Sequence, residues 1–242
     1  NGEDHTIFDK LVAQLAPHYT VYALDSRGHG KSDRVPVLRY TEMAEDVAAF
    51  IKALGLEKPL YYGFSDGGII GLILASQHPG LLEKLVVSGA NTTPEAVKPW
   101  VRRTMKLMNR LRPDPLLELM ITQPHIAPAQ LKRIDVPTLV LAGEKDLILE
   151  SETRHIADSI PRAVMKILPG EGHGSYTDKT MAIRCRPAGR EDWMEIRYYD
   201  HMDTLYGCPS HNEPLTLANG AGGMLYHSGD PAHWSLITLN TT

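Results

Sequence analysis

A serine sits between two glycines in Gly63-Phe64-Ser65-Asp66-Gly67, a G-x-S-x-G pattern. A serine hydroxyl attacks a carbonyl carbon only when a base within hydrogen-bond reach takes its proton. The residues before the pattern, Pro59–Gly63 (PLYYG), read as a short apolar strand, and Asp66–His78 after it has helical spacing. A sharp strand-to-helix turn is the setting that lifts such a serine clear of a sheet. Both glycines are expected to be required, because the tight turn leaves no room for Cβ atoms. The N-terminus of the following helix carries partial positive charge that favours a developing oxyanion, with the N–H of Asp66 as one donor.

Such a nucleophile needs a histidine and an acid, following it in the order acid, then histidine. Asp146 lies in Gly143-Glu144-Lys145-Asp146, just beyond the apolar run Pro137–Ala142 (PTLVLA). His173 lies in Gly170-Glu171-Gly172-His173-Gly174, just beyond Ala163–Leu168 (AVMKIL). If both runs are parallel strands, both loops leave the sheet edge at which Ser65 sits, where open α/β sheets gather their catalytic groups. His173 would accept the proton of Ser65, and Asp146 would fix its tautomer and stabilise the imidazolium. Glu144 is the rival acid, although its place in the turn suits a solvated side chain. His5, His18, His29, His78, His125 and His155 lack this placement and read as surface or structural groups.

The elements that must position these residues follow an α/β pattern. Strand-like runs at Thr20–Asp25, Pro59–Gly63, Lys84–Ser88, Pro137–Ala142 and Ala163–Leu168 alternate with helical spacing over Thr6–Ala16, Tyr40–Leu54, Asp66–His78 and Glu150–Ser159. That alternation predicts βαβ units, a mostly parallel sheet and helices on both faces. The pattern is interrupted from Asn91 to about Arg133. There Lys98–Arg112 predicts an amphipathic helix, with Trp100, Val101, Met105, Met108 and Leu111 on one side and Lys98, Arg102, Arg103, Lys106 and Arg110 mainly on the other. A small helical lid is one reading, with Trp100, Met105 and Met108 walling a substrate pocket; ordinary packing beneath a solvated basic face is the other. Residues 1–176 thus read as one core with its insertion at about 91–133, and 177–242 as an extension of a different type. In that extension Arg190–Leu205 could form a helix burying Trp193, Ile196, Tyr199 and Met202, with short strands over Pro214–Leu239.

Composition narrows the function classes. The chain has 242 residues, 43% hydrophobic and 22% charged, with a formal charge of −4. That balance argues against a nucleic-acid partner. No apolar run reaches the length of a membrane span, so no membrane partner is expected. Two cysteines, Cys185 and Cys208, fit a reducing compartment, and a cytoplasmic location is the expectation. The first residue is Asn1 rather than methionine, which leaves a preceding targeting segment open. Cys208-Pro-Ser-His211, with Cys185 and His201, does not complete a zinc set. Asn219–Gly223 lacks the lysine and helix of a phosphate loop. No metal, nucleotide or flavin cofactor is expected, and the oligomeric state is not legible.

The elbow, the segment Asp25-Ser26-Arg27-Gly28-His29-Gly30-Lys31-Ser32, and the loops of Asp146 and His173 together resemble the α/β-hydrolase superfamily over residues 1 to about 176. Gly63–Gly68 (GFSDGG) and Val87-Ser88-Gly89-Ala90-Asn91 are most similar to the biphenyl-hydrolase-like and valacyclovir hydrolase group, and also to 3-oxoadipate enol-lactonases. The resemblance implies an α/β-hydrolase fold and hydrolysis of a small carboxylic ester, lactone or activated amide. It also admits a perhydrolase or acyltransferase on the same residues, or a non-catalytic ligand-binding relative. In that family a His-Gly loop precedes the first helix and supplies a second oxyanion donor; Asn1 stands at that place. The family's strand between those of Thr20–Asp25 and Pro59–Gly63 has no counterpart here, so a sheet without its first strands is expected. The resemblance further implies that Asp66 binds the amine of amino-acid esters; the other reading is that Asp66, at the start of helix Asp66–His78, interacts only with the dipole of that helix. Arg27 and its neighbouring glycines would be architectural.

Overall fold

A computed structural model describes residues 1–174 and, beyond them, the backbone of six short strands. The chain divides into two compact units, Asn1–Asp4 with Asp25–His173, and His5–Leu24 with Gly174–Thr242.

The first unit is built on four parallel strands, β1 (Leu60–Phe64), β2 (Lys84–Ser88), β3 (Thr138–Gly143) and β4 (Ala163–Leu168), in the spatial order β1-β2-β3-β4. Every residue of the inner strands β2 and β3 is buried, which explains their unbroken apolar runs, whereas the outer strands β1 and β4 are only partly covered. Helix α2 (Tyr40–Ala53) buries Tyr40, Met43, Ala44, Ala48 and Ile51, a stripe at helical spacing. Helix α3 (Asp66–Gln77) is buried at every residue from Gly68 to Ser76. It packs on β1, β2 and α2, so an apolar residue is favoured on every side of it. The insertion after β2 forms α4 (Pro99–Leu111), α5 (Pro115–Thr122) and α6 (Pro128–Leu131), and α7 (Glu150–Ser159) leads into β4. Proline opens each of the three insertion helices, where its fixed φ suits a first turn and its missing N–H costs nothing. Asp114 caps α5 by accepting the N–H of Leu116 at 2.7 Å. Ile70, Leu72, Leu74, Leu85, Leu139 and Leu141 form the centre of the core.

The second unit contains a 3-10 turn (His5–Phe8) and α1 (Asp9–Leu15). Its strands are β5 (Thr180–Cys185), β6 (Met194–Tyr199), β7 (Leu205–Tyr206), β8 (Thr216–Leu217), β9 (Leu225–His227) and β10 (Ser235–Thr238). They form an antiparallel sheet in the order β6-β5-β10-β9 and a separate β7-β8 pair.

Two expectations need correction. Thr20–Asp25 has the composition of a strand but forms none. A strand exists through its ladder, and no described strand pairs with this segment; Tyr22 and Leu24 are exposed. Among the described residues the parallel sheet holds only β1 to β4. Within the range Arg190–Leu205, where a helix was expected, Met194–Tyr199 forms β6, paired antiparallel with β5, while Trp193 and Met202 lie outside the described residues. Met194-Glu-Ile-Arg-Tyr-Tyr199 alternates at period two and is rich in strand-favouring residues, and that local pattern prevails over the wider helical spacing. Cys208, His211, His201 and Asn219–Gly223 lie outside the described residues. Among the described residues no cluster of three potential metal ligands occurs, and no helix is long and apolar enough to cross a membrane.

Candidate active site

Ser65 follows the last residue of β1 and precedes the first of α3. Its φ of 52° puts it in the left-handed region, a strained conformation for a side-chain-bearing residue. The strain is held by packing and by two main-chain bonds. The Ser65 N–H donates to the carbonyl of Ser88 at 2.8 Å, and the Ser65 carbonyl accepts from Ile69 at 3.1 Å. A Cβ on Gly63 would stand 2.1 Å from the carbonyl oxygen of Gly67, so glycine is obligatory there. The expectation for the second glycine was misplaced. A Cβ on Gly67 meets nothing within 4 Å, and the crowded position is Gly68, 2.9 Å from the Cβ of Ala90. Tyr61 braces the same turn by donating its hydroxyl to the Gly67 carbonyl at 3.0 Å.

Register delivers the other two groups. β3 and β4 pair up to Gly143↔Leu168, and Asp146 and His173 follow on the loops beyond that pair. His173 Nδ1 lies 2.7 Å from Asp146 Oδ1, and His173 Nε2 lies 3.1 Å from Ser65 Oγ. Asp146 is 1% exposed. Its Oδ1 also accepts the N–H of Ile148 at 2.9 Å, and its Oδ2 lies 3.5 Å from the nitrogen of Gly143. A carboxylate can only accept, so Nδ1 carries the imidazole proton and Nε2 is left to accept from Ser65. Phe64 covers the imidazole, with ring centroids 5.1 Å apart. Glu144 does not reach the ring: its Oε2 accepts the N–H of Gly170 at 2.7 Å and ties the histidine loop to the acid loop.

Asp66, at the start of α3, turns its carboxylate towards α2. Tyr40 donates its hydroxyl to Asp66 Oδ1 at 2.7 Å, while Asp66 Oδ2 is buried and has no hydrogen-bond partner among the described residues. Burial, and then the negative charge of Asp66, push the Tyr40 phenol well above its ordinary pKa, so it remains a donor. Asn1 borders the same corner, with its backbone nitrogen 3.9 Å from Asp66 Oδ2 and its side-chain amide donating to the Leu116 carbonyl at 3.4 Å.

A family model described as alpha/beta hydrolase fold matches residues 1–118. Over 233 residues the chain is 32% identical to the Homo sapiens serine hydrolase BPHL, a match covering 84% of this chain and 74% of that protein. The chain belongs to the α/β-hydrolase fold family. Among solved structures of the family, a hydrolase from Pseudomonas aeruginosa PA01 superposes with a TM-score of 0.57 at 27% identity, over 72% of this chain and 80% of that one. A thermophilic esterase from Thermogutta terrifontis shares the fold with a TM-score of 0.59 at 23% identity, over 72% and 80% of the two chains.

Of the residues predicted for the site of this family member, Ser65, Asp146 and His173 form one connected line, and Asp66 and Asn1 adjoin each other. Trp100, Met105 and Met108 lie on α4, which packs on α5; Met105 is half-buried, whereas Trp100 and Met108 are exposed. Arg27 is architectural as expected. It grips Asp46 with two bonds of 2.6 Å and Glu42 with one of 2.7 Å, fastening its loop to α2.

Sequence reasoning missed Tyr40 and assigned no role to Gly89. Gly89 has φ +59°, and a Cβ there would stand 2.9 Å from His173 Cε1 and 3.0 Å from Nδ1. Its place directly after an apolar strand was the available signal.

Proposed function

We propose that this chain is a serine hydrolase that cleaves a small carboxylic ester, lactone or activated amide through an acyl-enzyme on Ser65. The observation that carries the reading is the unbroken line from Ser65 Oγ through His173 to the buried carboxylate of Asp146, at 3.1 and 2.7 Å. Ser65 Oγ attacks the substrate carbonyl carbon while His173 Nε2 takes the hydroxyl proton. The carbonyl oxygen becomes an oxyanion facing the N–H of Asp66, which as a first-turn donor of α3 lacks an intrahelical acceptor. Asn1 is the candidate second donor. Collapse of the intermediate breaks the bond to the leaving alcohol or amine, which takes its proton from the imidazolium. Water then repeats the sequence, releasing the acid and restoring Ser65. Asp146 stabilises the imidazolium in both halves and keeps Nε2 aimed at the serine. The relatives' names support this chemistry: a serine hydrolase, an esterase and an enol-lactonase.

A fluorophosphonate probe on the whole protein, followed by peptide mapping, tests the assignment. Labelling is expected at Ser65 and absent in Ser65→Ala, with kcat for an activated ester falling roughly 10⁴–10⁶-fold. Labelling that survives the substitution sinks the assignment. Acylation followed by faster transfer to alcohol or peroxide than to water would make the protein an acyltransferase or perhydrolase on the same groups.

Within this reading, substrates with a positive amine are favoured. Tyr40 occupies one oxygen of Asp66, and the other is buried with no hydrogen-bond partner among the described residues, the Asn1 nitrogen standing 3.9 Å from it. An ammonium would supply that donor through a charge-assisted bond of about 1.5–3 kcal/mol. Interaction of Asp66 with the helix dipole, about 0.3–1 kcal/mol, is the lesser role.

A further inference from the structure

Helix α4 is amphipathic in the reverse sense to α2. A helix that packs on a core turns its apolar stripe inwards, but α4 has no fully buried residue. Its half-buried residues include Val101, Met105 and Asn109, spaced at four, and this stripe faces the protein. Trp100, Thr104, Leu107 and Leu111, spaced i, i+4, i+7 and i+11, form a second stripe that faces water. Trp100 is 63%, Leu107 58%, Met108 53% and Leu111 77% exposed. Leaving this much contiguous apolar surface in water is unfavourable, and such patches mark surfaces that are covered in use.

Charge identifies the cover. Lys98–Arg112 carries Lys98, Arg102, Arg103, Lys106, Arg110 and Arg112 and no acidic residue, in a chain whose formal charge is −4. Glu95 pairs with Arg102 at 3.0 Å. Arg103, Lys106, Arg110 and Arg112 have no ion-pair partner among the described residues. By helical rotation Arg103 and Arg110 border the exposed ridge on one side and Met108 borders it on the other. A second copy of the chain docking ridge to ridge would bring these cations against their own kind. A nucleic acid would meet the cations but leave the leucines in water. A surface with anionic groups above an apolar layer satisfies both features.

We propose that α4 is an interfacial helix that seats the protein on an anionic phospholipid surface, with Trp100, Leu107 and Leu111 entering the headgroup boundary and Arg103 and Arg110 reaching the phosphates. That no helix among the described residues is long and apolar enough to cross a membrane does not oppose this, because a helix lying in the surface plane need not span one. Aromatic and long basic side chains suit that depth, since each has an apolar body and a polar tip.

The test is flotation of the whole protein with vesicles of phosphatidylcholine alone and of phosphatidylcholine mixed with phosphatidylglycerol, at low and raised ionic strength. Binding is expected only to the mixed vesicles and should weaken with salt. Arg103→Gln with Arg110→Gln should lower the partition coefficient roughly twenty-five-fold, about fivefold per cation. Leu107→Ser with Leu111→Ser, two exposed positions, should abolish flotation while far-ultraviolet circular dichroism and hydrolysis of a soluble ester stay unchanged. Equal binding to neutral vesicles, no binding to either, or binding indifferent to both double substitutions overturns the proposal. So does sedimentation showing a dimer that depends on Leu107 and Leu111.

Discussion

Replacing Gly89 by alanine probes how tightly the histidine is held. The new Cβ would stand 2.9 Å from His173 Cε1, 3.0 Å from Nδ1 and 3.4 Å from Asp146 Oδ2. Ordinary carbon contacts settle near 3.5–4.0 Å, so the imidazole must retreat by about 0.6 Å or more. It has little slack, because its contact with Ser65 Oγ is already 3.1 Å and useful geometry ends near about 3.2 Å. A misplacement of about 1 Å at a reacting group can cost roughly 10²-fold, so kcat/KM should fall roughly 10- to 100-fold. The φ of +59° adds a second cost, about 1–2 kcal/mol of stability for any residue with a Cβ. Gly67→Ala is the matched control, since its Cβ meets nothing within 4 Å and its φ is not positive. It should leave turnover close to the parent value. The assay is kcat/KM on p-nitrophenyl acetate and the rate of fluorophosphonate labelling, with urea denaturation for stability. Parental turnover in folded Gly89→Ala, or a larger loss in Gly67→Ala, would refute the argument that the Gly89 backbone locates the imidazole.

Three further expectations follow from the site. Asp66→Asn should reduce the ratio of kcat/KM for an α-amino ester over its des-amino analogue roughly ten- to a hundred-fold; an unchanged ratio in a folded variant removes the carboxylate as the amine's partner. Asp146→Asn should lower kcat by about 10⁴, whereas Glu144→Ala, which loses only the exposed bond to Gly170, should cost far less; the reverse ranking would make Glu144 the acid. Burial holds the Tyr61 phenol above its ordinary value of about 10, so the folded state keeps a proton that the unfolded chain releases. Stability should therefore decline as pH rises above that value, and Tyr61→Phe should make the decline shallower by about 1.4 kcal/mol per pH unit, read from urea midpoints across the alkaline range.

Much of the site was legible because its signals are local. Ser65 announces itself by five contiguous residues, and Asp146 and His173 each follow a short apolar strand. The parts that escaped depend on chain crossings. Which glycine beside Ser65 is crowded depends on Ala90, more than twenty residues away, and the motif contains no trace of it. Tyr40 reaches Asp66 from another helix, and its only signal was its place on the buried stripe of α2. Thr20–Asp25 shows the limit of composition: a strand-like run needs a neighbour to pair with, and sequence pattern is silent about neighbours. Helix α4 shows another. Its spacing put Val101 and Met105 on one side with Trp100, Met108 and Leu111, but the first two are half-buried and the other three exposed, a division set by what Val101 and Met105 pack against.

The three side chains proposed to react all follow strand ends of one parallel sheet, while the segment from Asn91 to Arg133 supplies none of them. A slip of one residue between β3 and β4 would carry His173 past Asp146 by about 3.3 Å and end turnover. By contrast, the exposed face of α4, a helix with no buried residue, can be recharged or exchanged without touching Ser65, Asp146 or His173. A protein divided in this way can acquire a new clientele, or a new place of work, by changing about forty residues and leaving the catalytic line as it stands.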